Sequence, residues 1–500
     1  TVLTLVPLLM IFIAPIFSPV AFGSTGGQQR SCLNTWSVDD SDNMTTSDGT
    51  FSVTVEKISA NAAIFVEDEQ MVSSTILNDI VSNWESNIFP SVTSYFGTPP
   101  DIDDNCQIEI AILSIDGPGG DEGYLESGVS SLRETLFLDI DDLSERNRVI
   151  AHEFGQLIHY EMDPFEYIWV DEGIAGLAEF ISFGTSTELE EKSNSWTMNS
   201  STSLRWWDER DSDRGSSFLF MSYLEDKLGG PTSIRQLVSD GSLGGNGIGN
   251  LARNPGPGST PIGTSMSEIF ANFSAAVTLD SAQGAFGFSN IDLVEDCSTG
   301  GFCRGTASVE NDQWSEAWQS SGHSVEGWGF KSFRFTQGDG YPLSIMVQPD
   351  RFGFEGAILS KESSSGTWTM ERLRIDSSDG RGTGLVHGFG NATSDVLLLV
   401  WYNSLVDDCD FDFANCGLLS GGNYPSGSFT VSASQVTSPA EVSIDSITDF
   451  DRDGDSLEDS VEIGMSVSSS AFSEYLSVEF SAFTNNTLYD SAEFMISVGN

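Results

Sequence analysis

Basic residues are scarce in this sequence. Its 500 residues include 21 lysines and arginines, of which only five are lysines, against 74 aspartates and glutamates, for a formal net charge of -53. So acidic a surface repels phosphate backbones and anionic lipids, which excludes nucleic acids and membrane surfaces as primary partners. Salt screens such self-repulsion, so the charge favours a saline habitat. An ordinary secreted protein with many calcium-binding carboxylates is the alternative interpretation.

Long apolar runs are confined to the beginning of the sequence. We interpret residues 1–23 as a secretion signal whose basic start is missing, because the stretch is uncharged and ends in the small residues Ala21 and Gly23. A membrane anchor is the alternative, but Pro15 and Pro19 interrupt the stretch. The protein is therefore expected to be secreted, extracellular or at the cell surface, with no membrane partner after the signal is cleaved.

Cysteines are few, and their number fits an oxidising compartment. Two pairs enclose short loops, and the remaining two would tie the N-terminal segment to the first domain. A zinc cluster is the competing interpretation, but the sequence has no Cys-x-x-Cys pair. Six cysteines allow fifteen pairings. Proximity in sequence favours the disulfides Cys297–Cys303 and Cys409–Cys416, which leaves Cys32–Cys106 as the third predicted pair.

Apolar periodicity indicates several domains of mixed class. Strand-like alternation at 51–58, 107–115 and 134–140 is followed by mainly helical spacing, with a helix that Ser144 can cap, and later by short alternating segments separated by turns. The predicted organisation is a signal at 1–23, a flexible arm at 24–50, an α+β domain at 51–285, a linker with one cysteine pair at 286–325, a β-sandwich at 326–436 and a truncated module at 441–500.

A histidine and glutamate pair lies in the helical part of the first domain. On a zinc-peptidase helix, a residue such as His152 binds the metal and the following glutamate, here Glu153, activates the metal-bound water. Glu172 follows in a Trp-Val-Asp-Glu-Gly segment, which we expect on the next helix. Because Glu179 shares a helical face with Glu172, that face can present carboxylates to the same site.

These segments together resemble the gluzincin metallopeptidases, most closely the secreted hyicolysin-type group. That group typically shows a His-Glu-Phe-x-His-x-Ile-His-Tyr helix followed by a Trp-Val-x-Glu-Gly helix. The resemblance covers roughly residues 51–285. It implies a zincin-like domain with a small sheet and a helical half, zinc as cofactor, His152 and Glu172 as ligands, and Glu153 as general base. The implied activity is metal-dependent hydrolysis of an extracellular protein or peptide.

Position 156 departs from that pattern. Gln156 stands where the group has its second histidine, and an amide oxygen is a poorer zinc donor than an imidazole. His159 is not a substitute, because seven residues along a helix displace it by about 10.5 Å. Gln156 is therefore a weak or lost ligand. Two functions stay open: an active peptidase, or a catalytically impaired zincin descendant that acts as an extracellular binding or surface protein.

A second metal is predicted near the C-terminus. Residues 451–462 fit the twelve-position calcium loop, although Ser456 replaces the glycine preferred at its sixth position. Chance clustering of aspartates in so acidic a chain is the alternative. The predicted calcium ligands are Asp451, Asp453, Asp455, Asp459 and Glu462 through their side chains, and Leu457 through its carbonyl.

Overall fold

The computed structural model describes most of the chain between residues 32 and 436 and the backbone of four later strands. The described residues are 32, 35–47, 49–125, 133–282, 284–293, 305–311, 317–403, 425–436, 441–450, 460–468, 475–484 and 487–497. Within them, a mixed sheet with helices is followed by two packed sheets. The predicted multidomain α+β fold, with a β-sandwich after the helical part, is confirmed.

One six-stranded sheet forms the N-terminal half of the first region, in the order β1-β2-β3-β4-β6-β5. The central strands pair in parallel, and their mostly apolar side chains are buried on both faces of the sheet. The strands are β1 Ser41–Thr46, β2 Gly49–Ile58, β3 Ala62–Glu67, β4 Ile108–Leu113, β5 Gly123–Tyr124 and β6 Thr135–Asp139.

Part of the predicted flexible arm belongs to this sheet. Residues 41–46 form β1, which pairs antiparallel with β2 and buries Met44. Just before β1, the Trp36 ring packs edge-on against Phe65, with 5.1 Å between centroids. The predicted Cys32–Cys106 disulfide is present and ties this segment to the sheet. The sequence-based prediction underestimated the order of this arm, because strand pairing and a disulfide stabilise it although it has few apolar residues.

Helices build the rest of the first region. Helix α3 begins at Arg146 rather than at the predicted cap Ser144, and no side chain caps it. The Ser265 and Glu268 side chains form a capping box at the start of α9. The helices are α1 Ser74–Asn83, a π-helical turn Trp84–Ile88, α2 Phe89–Phe96, α3 Arg146–Met162, α4 Ile168–Phe183, α5 Thr187–Thr197, α6 Asp211–Leu228, α7 Pro231–Val238, α8 Gly245–Arg253 and α9 Met266–Leu279.

Two five-stranded sheets form the sandwich, in the orders β13-β14-β10-β16-β8 and β12-β11-β15-β9-β7. Part of the predicted linker belongs to them, since β7 and β8 lie between 305 and 326. The strands are β7 Val309–Asn311, β8 Ala317–Glu326, β9 Phe330–Thr336, β10 Leu343–Pro349, β11 Phe354–Glu362, β12 Trp368–Arg372, β13 Arg374–Ile375, β14 Gly382–Val386, β15 Thr393–Tyr402 and β16 Ser426–Gln435.

The sandwich and the helical half share apolar packing. Phe270 of α9 contacts the rings of Trp328, Phe330 and Trp401, with centroids 5.6 to 6.4 Å apart. These side chains belong to the same buried cluster that fills the helical half. The two regions therefore meet through a dry aromatic contact.

Several predicted features lie outside the described residues. They include Cys297, Cys303, Cys409, Cys416, residues 1–23 and the calcium ligands from Asp451 to Asp459. Glu462 falls in residues 460–468, the second of four later strands. Those strands pair as two antiparallel hairpins, β17 Glu441–Phe450 with β18 Ser460–Ser468, and β19 Tyr475–Thr484 with β20 Thr487–Ser497. Within the described ranges, no helix combines the length and apolar character needed to cross a bilayer.

Candidate functional site

Helices α3 and α4 bring the predicted site residues together. His152, Gln156 and His159 of α3 meet Glu179, Glu172 and Asp171 of α4, respectively. Because residue numbers rise along one helix as they fall along the other, the two helices run antiparallel. The site is therefore a row of polar contacts between two packed antiparallel helices.

A glycine permits the close approach of these helices. An added Cβ at Gly155 would lie 2.7 Å from the Ala178 Cβ, well inside van der Waals contact. Phe154 packs on the other side of α3 against Trp84, with 4.7 Å between ring centroids. The small residues Gly155 and Ala178 at the helix crossing, together with the Phe154–Trp84 packing, orient His152 and Gln156 towards α4.

His152 bridges two carboxylates. Its Nδ1 lies 3.1 Å from Glu179 Oε1, and its Nε2 lies 3.5 Å from Glu172 Oε2. Burial disfavours the charged imidazole, but the contacts with Glu172 and Glu179 outweigh it and hold the pKa of His152 well above its usual value. Conversely, burial would raise the pKa of Glu172, but the His152 contact outweighs that effect and lowers it. The three side chains thus form a partly buried ion-pair cluster.

Gln156 completes this cluster. Its Nε2 donates to Glu172 Oε1 at 3.2 Å and lies 3.5 Å from His152 Nε2. An ionised carboxylate only accepts hydrogen bonds, so the amide must turn its NH2 group, and not its oxygen, towards Glu172. The side chain at position 156 therefore presents donor hydrogens where a metal ligand would present a lone pair.

Glu153 lies next to the cluster and is 6% exposed. Its Oε2 is buried and has no hydrogen-bond partner among the described residues. Burial raises the pKa of Glu153 to about 7; neighbouring His152 lowers it, whereas Glu172 and Glu179 raise it. A carboxyl group with such a pKa can exchange a proton near neutral pH.

His159 occupies a separate position farther along α3. It is fully buried, and its Nδ1 pairs closely with Asp171 Oδ1. Burial alone would lower the pKa of His159, but Asp171 outweighs this effect and raises it. Sequence reasoning missed this pair. One signal was available: in two antiparallel helices, the residue that follows Gln156 by one turn, His159, lies near the residue that precedes Glu172, which is Asp171.

The residues present do not fit a zinc centre. Zinc sites of this kind need three protein ligands chosen from histidine, cysteine and carboxylates. Within the described ranges, no group of three such side chains could hold a metal ion. His152 and Glu172 converge, but the third position holds the Gln156 amide, whose NH2 group donates to Glu172. The geometry brings the predicted ligands together without forming a complete ligand set.

Comparisons with known proteins identify no family. No family model and no curated protein matches the chain. Among solved structures, the M60 catalytic domain with CBM51-1 and CBM51-2 domains from Clostridium perfringens ZmpB is 10% identical, over 89% of this chain and 68% of that chain, with a TM-score of 0.26.

Two smaller structures resemble about a quarter of the chain. The pre-peptidase C-terminal domain of collagenase from Bacillus anthracis is 11% identical over 25% of this chain and 93% of that chain, with a TM-score of 0.16. PliG from Aeromonas hydrophila, a periplasmic lysozyme inhibitor of g-type lysozyme, is 10% identical over 25% and 94%, with a TM-score of 0.16. We rest no argument on likenesses this weak.

Proposed function

We propose that this protein is a gluzincin-type domain whose peptidase centre has become a metal-free polar cluster, and that it acts outside the cell as a binding protein. The observation that carries the proposal is the hydrogen bond from the Gln156 amide to Glu172. In the hyicolysin-type pattern, this position supplies the second zinc ligand. Here it supplies a donor that binds one of the remaining ligands.

The cluster satisfies its own members without a metal. His152 lies between Glu172 and Glu179, so positive charge on its ring can offset both carboxylates where a zinc ion otherwise would. Metal binding requires free lone pairs on the ligands, and would break the contacts of His152 and Gln156 with Glu172. Competition with these existing contacts disfavours the metal-bound state.

An extracellular location and a protein or peptide partner belong to this proposal. The Cys32–Cys106 disulfide supports an oxidising compartment. The charge of -53 argues against nucleic acid and anionic membranes as partners. Calcium binding at 451–462 remains a prediction; chelation should then accelerate amide exchange in that segment, and identical exchange with calcium and with chelator would contradict it.

Metal-dependent endopeptidase activity is the second candidate function. Glu153 favours it, because this buried carboxyl group has a pKa of about 7 and one oxygen without a partner in the described part of the chain. In this alternative, Glu153 is the general base and an extracellular protein or peptide is the substrate. The incomplete ligand set is the observation against it.

Metal analysis and a proteolysis assay on the purified full chain distinguish the two functions. The proposal expects well under stoichiometric zinc after dialysis and no chelator-sensitive cleavage of an unfolded protein substrate. Gln156→His should gain zinc, whereas the exposed sandwich change Gln348→His, which also adds a histidine, should not. Stoichiometric zinc together with chelator-sensitive cleavage in the unaltered chain would establish the peptidase instead.

A further inference from the structure

A cavity of about 500 Å³ lies where the helical half meets the sandwich, away from the His152 cluster. Its walls come from Tyr167 just before α4, from the start and end of α8, from the start of α9, and from Trp328 just before β9. A volume of this size suits a small ligand or the end of a peptide chain.

The lining of this cavity has the opposite charge to the rest of the protein. Acidic residues make up 74 of the 500 in the chain. None of the described residues that line the cavity is acidic, whereas Arg205 and Arg253 both line it. In a chain with only 21 basic residues, two arginines on one concave surface create a local attraction for an anion.

Arg253 is available to a ligand. It is exposed at the end of α8, and its side chain donates to two neutral oxygens, Thr264 O and Asn250 Oδ1. Other arginines of the chain pair with carboxylates, as Arg334 does with Asp395. The guanidinium of Arg253 therefore keeps its attraction for a ligand carboxylate, which it can bind through two parallel hydrogen bonds.

Trp328 supplies an independent observation. It is 6% exposed, it lines the cavity, and its buried indole Nε1 has no hydrogen-bond partner among the described residues. Its φ of 61° is a costly conformation for a bulky residue. The chain also passes close by at the next residue, because an added Cβ at Gly329 would lie 2.4 Å from Ser201 O. Trp328 therefore contributes an aromatic side chain to the cavity wall.

Arg205 holds the Trp328 ring in place. The Arg205 guanidinium carbon lies 4.9 Å from the centroid of that ring, which is a cation–π contact. The backbone on both sides is also fixed, since Trp328 N donates to Tyr402 O at 2.8 Å and Leu204 N donates to Trp328 O at 3.0 Å. The aromatic wall of the cavity is therefore pre-organised by contacts from both regions.

We propose that this cavity binds the carboxylate of an extracellular ligand, with Arg253 as its charged partner and Trp328 as its aromatic wall. Two sources can supply that chemistry: the C-terminus of a peptide, or a small free carboxylic acid. The site lies on residues other than those of the His152 cluster, so it stands whether or not that cluster binds a metal. The cavity would be the place where this protein carries out the extracellular binding function proposed above.

The test uses the full chain and a panel of acetylated tripeptides with aliphatic, aromatic, polar and acidic C-terminal residues. Each peptide is titrated calorimetrically as the free acid and as the C-terminal amide, with succinate as a small carboxylate. We expect a free acid to bind with a Kd of about 1 mM or tighter, and its amide to bind at least about tenfold more weakly. Binding of succinate alone would support the site and identify small acids as its ligands.

Matched variants assign that binding to the cavity. Arg253→Gln should weaken it at least about tenfold, Arg253→Lys should weaken it less, and raising the salt concentration should weaken it in the unaltered chain. Arg351→Gln removes an exposed arginine of the sandwich, which pairs with Asp350, and should have no effect. The proposal is overturned if no free acid binds at about 10 mM, or if Arg253→Gln leaves the affinity unaltered.

Discussion

Helix α3 carries two histidines, and α4 gives them very different surroundings. His152 keeps a 19% exposed side chain and faces two carboxylates and an amide. His159 is fully buried and pairs with one carboxylate, Asp171. A polar cluster with several partners and some solvent access can exchange ligands or protons, whereas a single buried pair is suited to holding the helices together.

The ends of the helix pair also differ in their remaining carboxyl groups. Beside His152, Glu153 keeps an oxygen without a partner among the described residues. Beyond His159, Glu166 Oε1 accepts hydrogen bonds from Tyr167 N and Gly244 N, both at 2.7 Å. Glu166 thereby attaches the loop before α8 to the start of α4. At the His152 end, the Glu153 carboxyl group can still act on a ligand or a proton. At the His159 end, the Glu166 carboxyl group holds two backbone segments together.

The largest expected effect is on zinc affinity at the His152 end. Gln156→His replaces a donor amide with an imidazole on a helix face that already points at Glu172. An added imidazole ligand should contribute several kcal/mol, so the zinc Kd should fall by about 1,000-fold or more in competition with a chelator. The Gln348→His chain serves as the control. An unchanged zinc Kd would mean that the two helices cannot present a metal site.

The next effect concerns stability at the other end. His159→Ala removes a fully buried ring and leaves Asp171 without its partner, so it should cost about 3 to 5 kcal/mol of unfolding free energy. His152→Ala should cost less, because its side chain is partly exposed and Gln156 still donates to Glu172. Denaturant unfolding of both variants measures the difference. Equal losses of unfolding free energy would contradict the distinction between His159 as a structural residue and His152 as a member of a functional cluster.

A pH dependence should accompany Glu166. Burial raises its pKa to about 7, above the value near 4.3 expected in an unfolded chain. The folded state therefore binds this proton more tightly, and its contribution to stability declines as pH rises from about 4.3 to 7, by at most about 4 kcal/mol. Glu166→Gln should flatten this decline while keeping an oxygen acceptor for Gly244. Parallel unfolding curves for the two chains between pH 5 and 8 would refute the assignment.

The smallest expected effect is the response of the unaltered chain to metal removal. Because the His152 cluster satisfies its members with hydrogen bonds, a zinc chelator should shift the melting temperature of the first region by less than about 1 °C. Gln156→His with zinc should instead lose its added stability on chelation. A large chelator-induced drop in the unaltered chain would show that metal already stabilises this region.

Local sequence patterns predicted much of this fold and site. Helical spacing and the Trp-Val-Asp-Glu-Gly segment located α3 and α4, and strand alternation located β2, β4 and the sandwich. These local patterns did not predict strands whose partner strands or neighbours are distant in sequence. Strand β1 is short and polar, and β7 and β8 lie in a stretch interpreted as linker, so each depends on neighbours that local composition does not reveal.

By itself, the sequence determined that His152, Glu153 and Gln156 share one helix and that Glu172 and Glu179 share a face of another, because helical periodicity is a local property. Only the tertiary structure decided how those faces are used. The close crossing at Gly155 turns the Gln156 amide towards Glu172. Long-range packing likewise pairs His159 with Asp171 and encloses the arginine-lined cavity beside Trp328. Such contacts join residues far apart in the chain, so their geometry depends on the packing of whole elements.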